Sequence, residues 1–205
     1  IIIFLIIFAF SRYFLPYKGA SNGKAIAIPK GIVTLFGVLA VISFLGEGGM
    51  MDWSGVFLTE AKGVDLSLAG VGYAVFSAAM LIGRLIGDKV VQKLGEQRVV
   101  IFGGIVASVG YIISIVFDNF FMMQFGFILL GFGAANIVPV VFTLLGRQKE
   151  MPINSAVTAV TSMGYLGVMF GPALLGFIAH GIGIVAVFCI LAGMFILQAI
   201  VSSYV

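Results

Sequence analysis

Apolar positions along this chain run in unbroken blocks rather than alternating or recurring at one face of a surface helix. Six blocks cover residues 31–59, 66–88, 98–117, 120–146, 154–180 and 182–204. Each is longer than the about 17 residues an α-helix needs to cross a bilayer. Only a helix satisfies its own backbone in lipid, so six spanning helices are predicted. Their connectors are short, centred on Lys62–Asp65, Lys89–Gln97, Asp118–Asn119, Arg147–Pro152 and Gly181, which makes successive helices antiparallel neighbours. A shorter block, Ile1–Phe10, carries no basic n-region or small-residue cleavage site. Ten helical residues rise only about 15 Å, half a bilayer core. Residues 1–15 are therefore expected to be the remnant of a further transmembrane helix. Residues 16–30, between Pro16 and Pro29, are expected to form a cytoplasmic loop, and residues 31–205 the bundle. The fold class is all-α, a polytopic membrane protein.

Composition strengthens this picture. Of 205 residues 61% are apolar and 9% charged, against about 25% charged in soluble domains, and the mean hydropathy is +1.23. One Cys, Cys189, excludes an internal disulfide and is expected to be a buried, inert thiol. One His and one Cys cannot build a usual zinc site, and no nucleophile elbow or phosphate-binding loop is present. No metal, no cofactor and no enzymatic activity are expected. Charge adds orientation. Ten of the eleven Lys and Arg fall in or beside the first, third and fifth connectors: Arg12, Lys18, Lys24, Lys30, Arg84, Lys89, Lys93, Arg98, Arg147 and Lys149. Lys62 alone lies in the others. Positive residues at span ends stay inside, which predicts a cytoplasmic C-terminus at Val205 in the inner membrane. The net charge of +3 then reflects topology, not a nucleic-acid partner.

Polar residues inside the spans are the candidate chemistry. Glu47 lies about 24 Å along a helix starting at Gly31, which predicts the outer half of the bilayer. A carboxylate at that depth must face the bundle interior or water. That makes Glu47 a candidate proton or cation coupling site; a structural Glu capping a break at Gly48–Gly49 is the alternative. No titratable partner is evident in the other spans of the chain. Asp52, beside Trp53, reads as an interfacial carboxylate with an aromatic anchor, or as a gate together with Gly48 and Gly49. Asn154, Thr158, Thr161 and Tyr165 follow at spacings of four, three and four, one helix face. Asn136 stands three residues before Pro139, and Tyr73 and Ser77 form a shorter stripe. These groups either line an aqueous cavity and bind a solute or hydrogen-bond neighbouring helices. His180 is expected to be a solvated residue at the outer end of its span. The fourth span carries Leu130-Gly131-Phe132-Gly133, echoing Leu45-Gly46-Glu47-Gly48 of the first, and the two run in opposite directions. Gly-interrupted helices at matching positions of inverted units mark a transporter's central site.

After the second span the chain reads Gly83-Arg84-Leu85-Ile86-Gly87-Asp88-Lys89, followed by Lys93-Leu94-Gly95 and Arg98. A carboxylate among cations at a helix end can pair with Arg84 or Lys89, or accept from a neighbouring helix N-terminus. This order resembles the signature loop of the major facilitator superfamily, with one extra residue between Gly83 and Asp88 and with Lys89 in place of the usual Arg. The resemblance implies a cytoplasmic latch formed by Gly83, Arg84, Asp88 and Lys89. Gly164, Gly167, Gly171-Pro172 and Gly176 are similar to the Gly-rich, Gly-Pro helix of the same superfamily, with Gly167, Gly171 and Pro172 expected in helix packing. The run Gly46–Ser54 resembles a stretch of a poorly characterised bacterial branch. The resemblance implies the C-terminal half of a twelve-helix transporter, a six-helix bundle made of two inverted three-helix repeats. It further implies secondary active transport of a small solute by alternating access, coupled to a proton or another cation, with symport and efflux both open. The implied partners are the solute, the coupling ion, the lipid bilayer and an N-terminal half. A non-transporting membrane scaffold or sensor is the alternative.

Overall fold

The computed structural model describes residues 27–205 together with Phe8 and Phe10. Most of the expected helix remnant and loop, with Arg12, Lys18 and Lys24, lies outside the described residues. Among the described residues there are eight α-helices, of which all but α3 lie in the six spans: α1 (Ile32–Val56), α2 (Val71–Leu85), α3 (Gly87–Leu94), α4 (Glu96–Val116), α5 (Phe120–Ala134), α6 (Ile137–Leu145), α7 (Ile153–Ile182) and α8 (Ile184–Ser202). The spans are Ile32–Ala61, Leu66–Leu85, Glu96–Val116, Phe120–Leu145, Ile153–Ile182 and Ile184–Ser202. The apolar blocks locate them to within about a turn. A short amphipathic helix, α3, occupies the connector after the second span.

Three details depart from the sequence reading. Gly48 and Gly49 do not break the first span; α1 runs through them and ends in a π-helical turn, Phe57–Ala61. The interruption lies in the fourth span, at Ala135–Asn136 between α5 and α6. The last turn pivots on Gly183, not Gly181, because Gly183 has φ of 90°, a left-handed value that favours glycine. Cys189, placed in the core by its apolar surroundings, is exposed on α8.

Polar contacts fix the two ends of the bundle. At one end Glu150 accepts from the Ile32 backbone N–H at 2.9 Å, capping α1, and Arg147 pairs with Glu96 at 2.7 Å. Gln97 donates to the carbonyls of Ser202 and Ser203 there. At the opposite end Lys62 pairs with Asp118 at 2.6 Å and donates to the Ile115 carbonyl at 2.7 Å. Asp65 accepts from the hydroxyl and the backbone N–H of Ser67, which holds its carboxyl below the usual range.

The packing has an internal symmetry. α1 packs on α7 as α2 packs on α5, α4 meets α5 as α1 meets α8, and α4 packs on α8. Exchanging the first three spans for the last three maps this pattern onto itself. That is the signature of two inverted three-helix repeats. Small residues set the closest crossings. A Cβ on Gly110 of α4 would stand 2.5 Å from the Gly126 carbonyl oxygen of α5, and one on Gly133 of α5 2.5 Å from the Ala107 nitrogen of α4. Backbones approach this closely only where side chains are absent.

Candidate functional site

Glu47 is the sixteenth of thirty residues in the first span, so it lies at the middle of that span. Beyond Glu47 the helix continues for fourteen residues, closing in the π-helical turn that ends at Ala61. The absence of a titratable partner is corrected. The Arg84 guanidinium of α2 lies 3.5 Å from Glu47 Oε2. Arg84 Nε donates to the Ala135 carbonyl at 3.3 Å, exposed by the break between α5 and α6. Glu47 Oε1 is buried with no hydrogen-bond partner among the described residues. The Glu47 side chain is 20% exposed and the Arg84 side chain 48%.

The pair lines a cavity of about 410 Å³ with Gly48 on α1 and Tyr73 and Ser77 on α2. Phe44, Met51, Phe76 and Met80 supply much of its apolar wall. Cavities of about 300–1,000 Å³ with a few convergent polar groups are typical of small-molecule sites. Gly48 has none of the described residues within 4 Å of where a Cβ would stand. Behind the site, the buried Tyr111 hydroxyl donates to the Gly46 carbonyl at 3.0 Å, and Ser43 and Gln198 hydrogen-bond to each other. These bonds fasten α1 to α4 and α8 next to Glu47.

The structure sorts the other sequence candidates. Tyr165 is exposed and stacks on Phe44, ring centroids 6.1 Å apart, at the edge of the cavity. Thr158 donates to the Asn154 carbonyl of its own helix, and neither Thr158 nor Thr161 reaches the cavity wall. Asn136 is not beside Glu47. Its amide donates to the Gly83 carbonyl at 2.9 Å and fills the space that a side chain on Gly87 would need. Asp52 is exposed beyond the cavity. Gly49 packs on Leu191 of α8, so it belongs to a helix contact rather than to the opening.

In the loop motif, Gly83 packs against Ala135, while Asp88 and Lys89 are exposed. Asp88 makes no ion pair with Arg84 or Lys89, because Arg84 points toward Glu47. Asp88 instead occupies the first turn of α3, where a carboxylate faces the positive end of the helix dipole. Gly164, Gly167, Gly171 and Gly176 of α7 meet Phe44, Val41, Leu45 and Trp53 of α1 in order, and α7 passes through Pro172 without ending. Trp53, expected as a surface anchor, lies beside Gly176, and its indole N–H is buried without a hydrogen-bond partner among the described residues.

Sequence periodicity held a sign of the pairing. Tyr73, Ser77, Met80 and Arg84 follow at spacings of four, three and four, so the short polar stripe continues to the arginine.

A bundle of six apolar helices in two inverted repeats, with a mid-span carboxylate paired to an arginine in a cavity, is the half-architecture of a membrane transporter. The chain belongs to the Major Facilitator Superfamily, whose family profile matches residues 36–205. An uncharacterized MFS-type transporter of Yersinia pestis is 46% identical over 159 residues, covering 78% of this chain and 41% of its own length. The membrane protein MosC of Rhizobium meliloti is 30% identical over 150 residues, covering 73% of this chain and 37% of its own. The chain thus spans about two fifths of the length of these relatives. The crystal structure of tetrameric PepTSo2 shares the fold, with a TM-score of 0.67 and 21% identity over 84% of this chain and 40% of that one.

Proposed function

We propose that the chain is the C-terminal half of a secondary active transporter that moves a small solute by alternating access. The Glu47–Arg84 cavity is this half's share of the solute site, and Glu47 is the group that takes and releases the coupling proton. The observation carrying this reading is a carboxylate at the middle of the first span paired with a guanidinium from the last turn of the second, beside a cavity large enough for a small molecule. Charges at that depth are costly and are retained where they serve a solute or ion path. The names of the Yersinia pestis and Rhizobium meliloti relatives, an MFS-type transporter and a membrane protein, agree with it.

In this reading the end bearing Asp88, Arg147 and Glu150 is cytoplasmic, as the positive-inside rule requires, and the C-terminus lies on that side of the inner membrane. Gly83, Asp88 and Lys89 form the latch between the two halves at the cytoplasmic surface. Arg84 carries a second role by linking that loop to Glu47. Protonation of Glu47 loosens the ion pair and so changes the balance of inward-open and outward-open states.

The test is flux in proteoliposomes containing the complete transporter, with sugars, amino acids, organic acids and lipophilic cations offered under an imposed pH gradient. The wild type is expected to move at least one class in a gradient-dependent manner, and Glu47→Gln to lose that dependence. Flux of no class, or an unchanged pH dependence in the variant, would refute the proposal.

A further inference from the structure

The geometry points to a small organic anion with an apolar body, a monocarboxylate, as the solute: it replaces Glu47 as the ion-pair partner of Arg84, so that anion and proton bind together. The inference rests on the transporter reading above and adds the charge of the solute and the sign of its coupling.

Three observations carry it. First, the Glu47–Arg84 contact is a single one at 3.5 Å, longer than the about 2.7–2.9 Å of a tight charge-assisted hydrogen bond. The pair is close enough to hold and loose enough to exchange. Second, the Arg84 side chain is the more exposed of the two and its Nε is held by the Ala135 carbonyl, so Arg84 stays in the cavity wall when Glu47 lets go. Planar guanidinium suits bidentate carboxylate recognition. Third, the charge balance is one-sided. An added anion leaves one negative charge in excess, and a proton on Glu47 Oε2 removes it. An added cation leaves one positive charge in excess that Arg84 cannot discharge, since guanidinium does not deprotonate in proteins. The aromatic and thioether wall of Phe44, Phe76, Met51 and Met80 fits the apolar body, with the hydroxyls of Tyr73 and Ser77 beside it.

Few other groups can disturb this exchange. On α2 the titratable groups facing Glu47 are Arg84 and Tyr73. α4 brings Tyr111, whose hydroxyl is engaged by the Gly46 carbonyl. α7 brings Tyr165 at the cavity edge, and α8 brings the uncharged Gln198. On α1 itself the nearest charged residue is Asp52, five positions on. In the exchange the proton goes to Oε2 of Glu47, its ion pair with Arg84 breaks, and the solute carboxylate forms the new pair. One anion and one proton enter, with no net charge moved.

The experiment is thermal-shift and calorimetric binding on the complete transporter. The probes are straight-chain and aromatic monocarboxylates of four to eight carbons, each beside its matching amide and amine. At least one acid is expected to bind the wild type, with affinity rising about tenfold per unit fall in pH while Glu47 in the free protein is ionised. Glu47→Gln, always neutral, should still bind the acid with affinity independent of pH. Arg84→Gln should lose the acid at least tenfold at every pH, with Arg84→Lys restoring part of it. Binding confined to amines or amides, or acid binding that Arg84→Gln leaves intact, would overturn the anion proposal while leaving proton-coupled transport standing. A pH dependence that persists in Glu47→Gln would instead strike the coupling role of Glu47 itself.

Discussion

A carboxylate mostly withdrawn and a guanidinium half in the open make an unequal pair, and the inequality decides what each variant should do. Removing Arg84 leaves Glu47 without its partner, whereas removing Glu47 leaves Arg84 still held by the Ala135 carbonyl and open to water. Arg84→Gln is therefore expected to lower thermal stability more than Glu47→Gln. The double variant should be less destabilised than the two single effects added, by a coupling of about 0.5–3 kcal/mol. Unfolding of all four proteins in detergent measures this, and strict additivity would mean that the pair contributes nothing. Sequence made Glu47 conspicuous, because a lone acid in an apolar block has few bland readings. Its partner was harder to see. Arg84 lies 37 residues away in a motif whose family resemblance assigns it to a surface loop, and only the stripe through Tyr73 and Ser77 pointed inward. Asn136 shows the converse: a polar residue near a Pro reads as cavity lining, yet its amide is spent on the Gly83 carbonyl.

At the scale of the helices, glycine has two opposite uses, and the same substitution should separate them. Gly110 lies where α4 and α5 cross, and an added Cβ would meet the rigid backbone of Gly126 and Leu130. Gly110→Ala should cost about 1–3 kcal/mol of stability through forced separation of the helices. Gly48→Ala meets nothing within 4 Å, so it should leave stability unchanged within experimental error while narrowing the cavity and weakening solute affinity. Melting curves of the two variants, with uptake kinetics for the second, check both statements. The spans themselves were legible because length and hydropathy alone define a membrane helix. Where helices continue or stop was less so. The first span passes Gly46, Gly48 and Gly49 unbroken because Gly46 and Gly49 pack against Phe195 and Leu191 of α8, contacts that no local propensity reports.

For the whole molecule, the inverted symmetry of the six spans relates the two helices whose groups hold Arg84. The first and fourth spans are equivalent under the exchange of repeats. The first brings Glu47 and the fourth brings the break at Ala135–Asn136, whose freed carbonyl holds Arg84. The two repeats thus meet chemically at one arginine, which also leads through Gly83 and Gly87 to the short helix carrying Asp88. Movement of the bundle against an N-terminal half would be sensed at the loop and at the carboxylate together. The most direct measurement is a comparison of solute exchange with solute accumulation in proteoliposomes of the complete transporter. The wild type should do both, accumulating solute under an inward proton gradient. Glu47→Gln should retain exchange at a rate within about tenfold of wild type and lose accumulation, since exchange needs no change in protonation. Accumulation by Glu47→Gln with the wild-type dependence on pH would contradict the assignment of Glu47 as the coupling group.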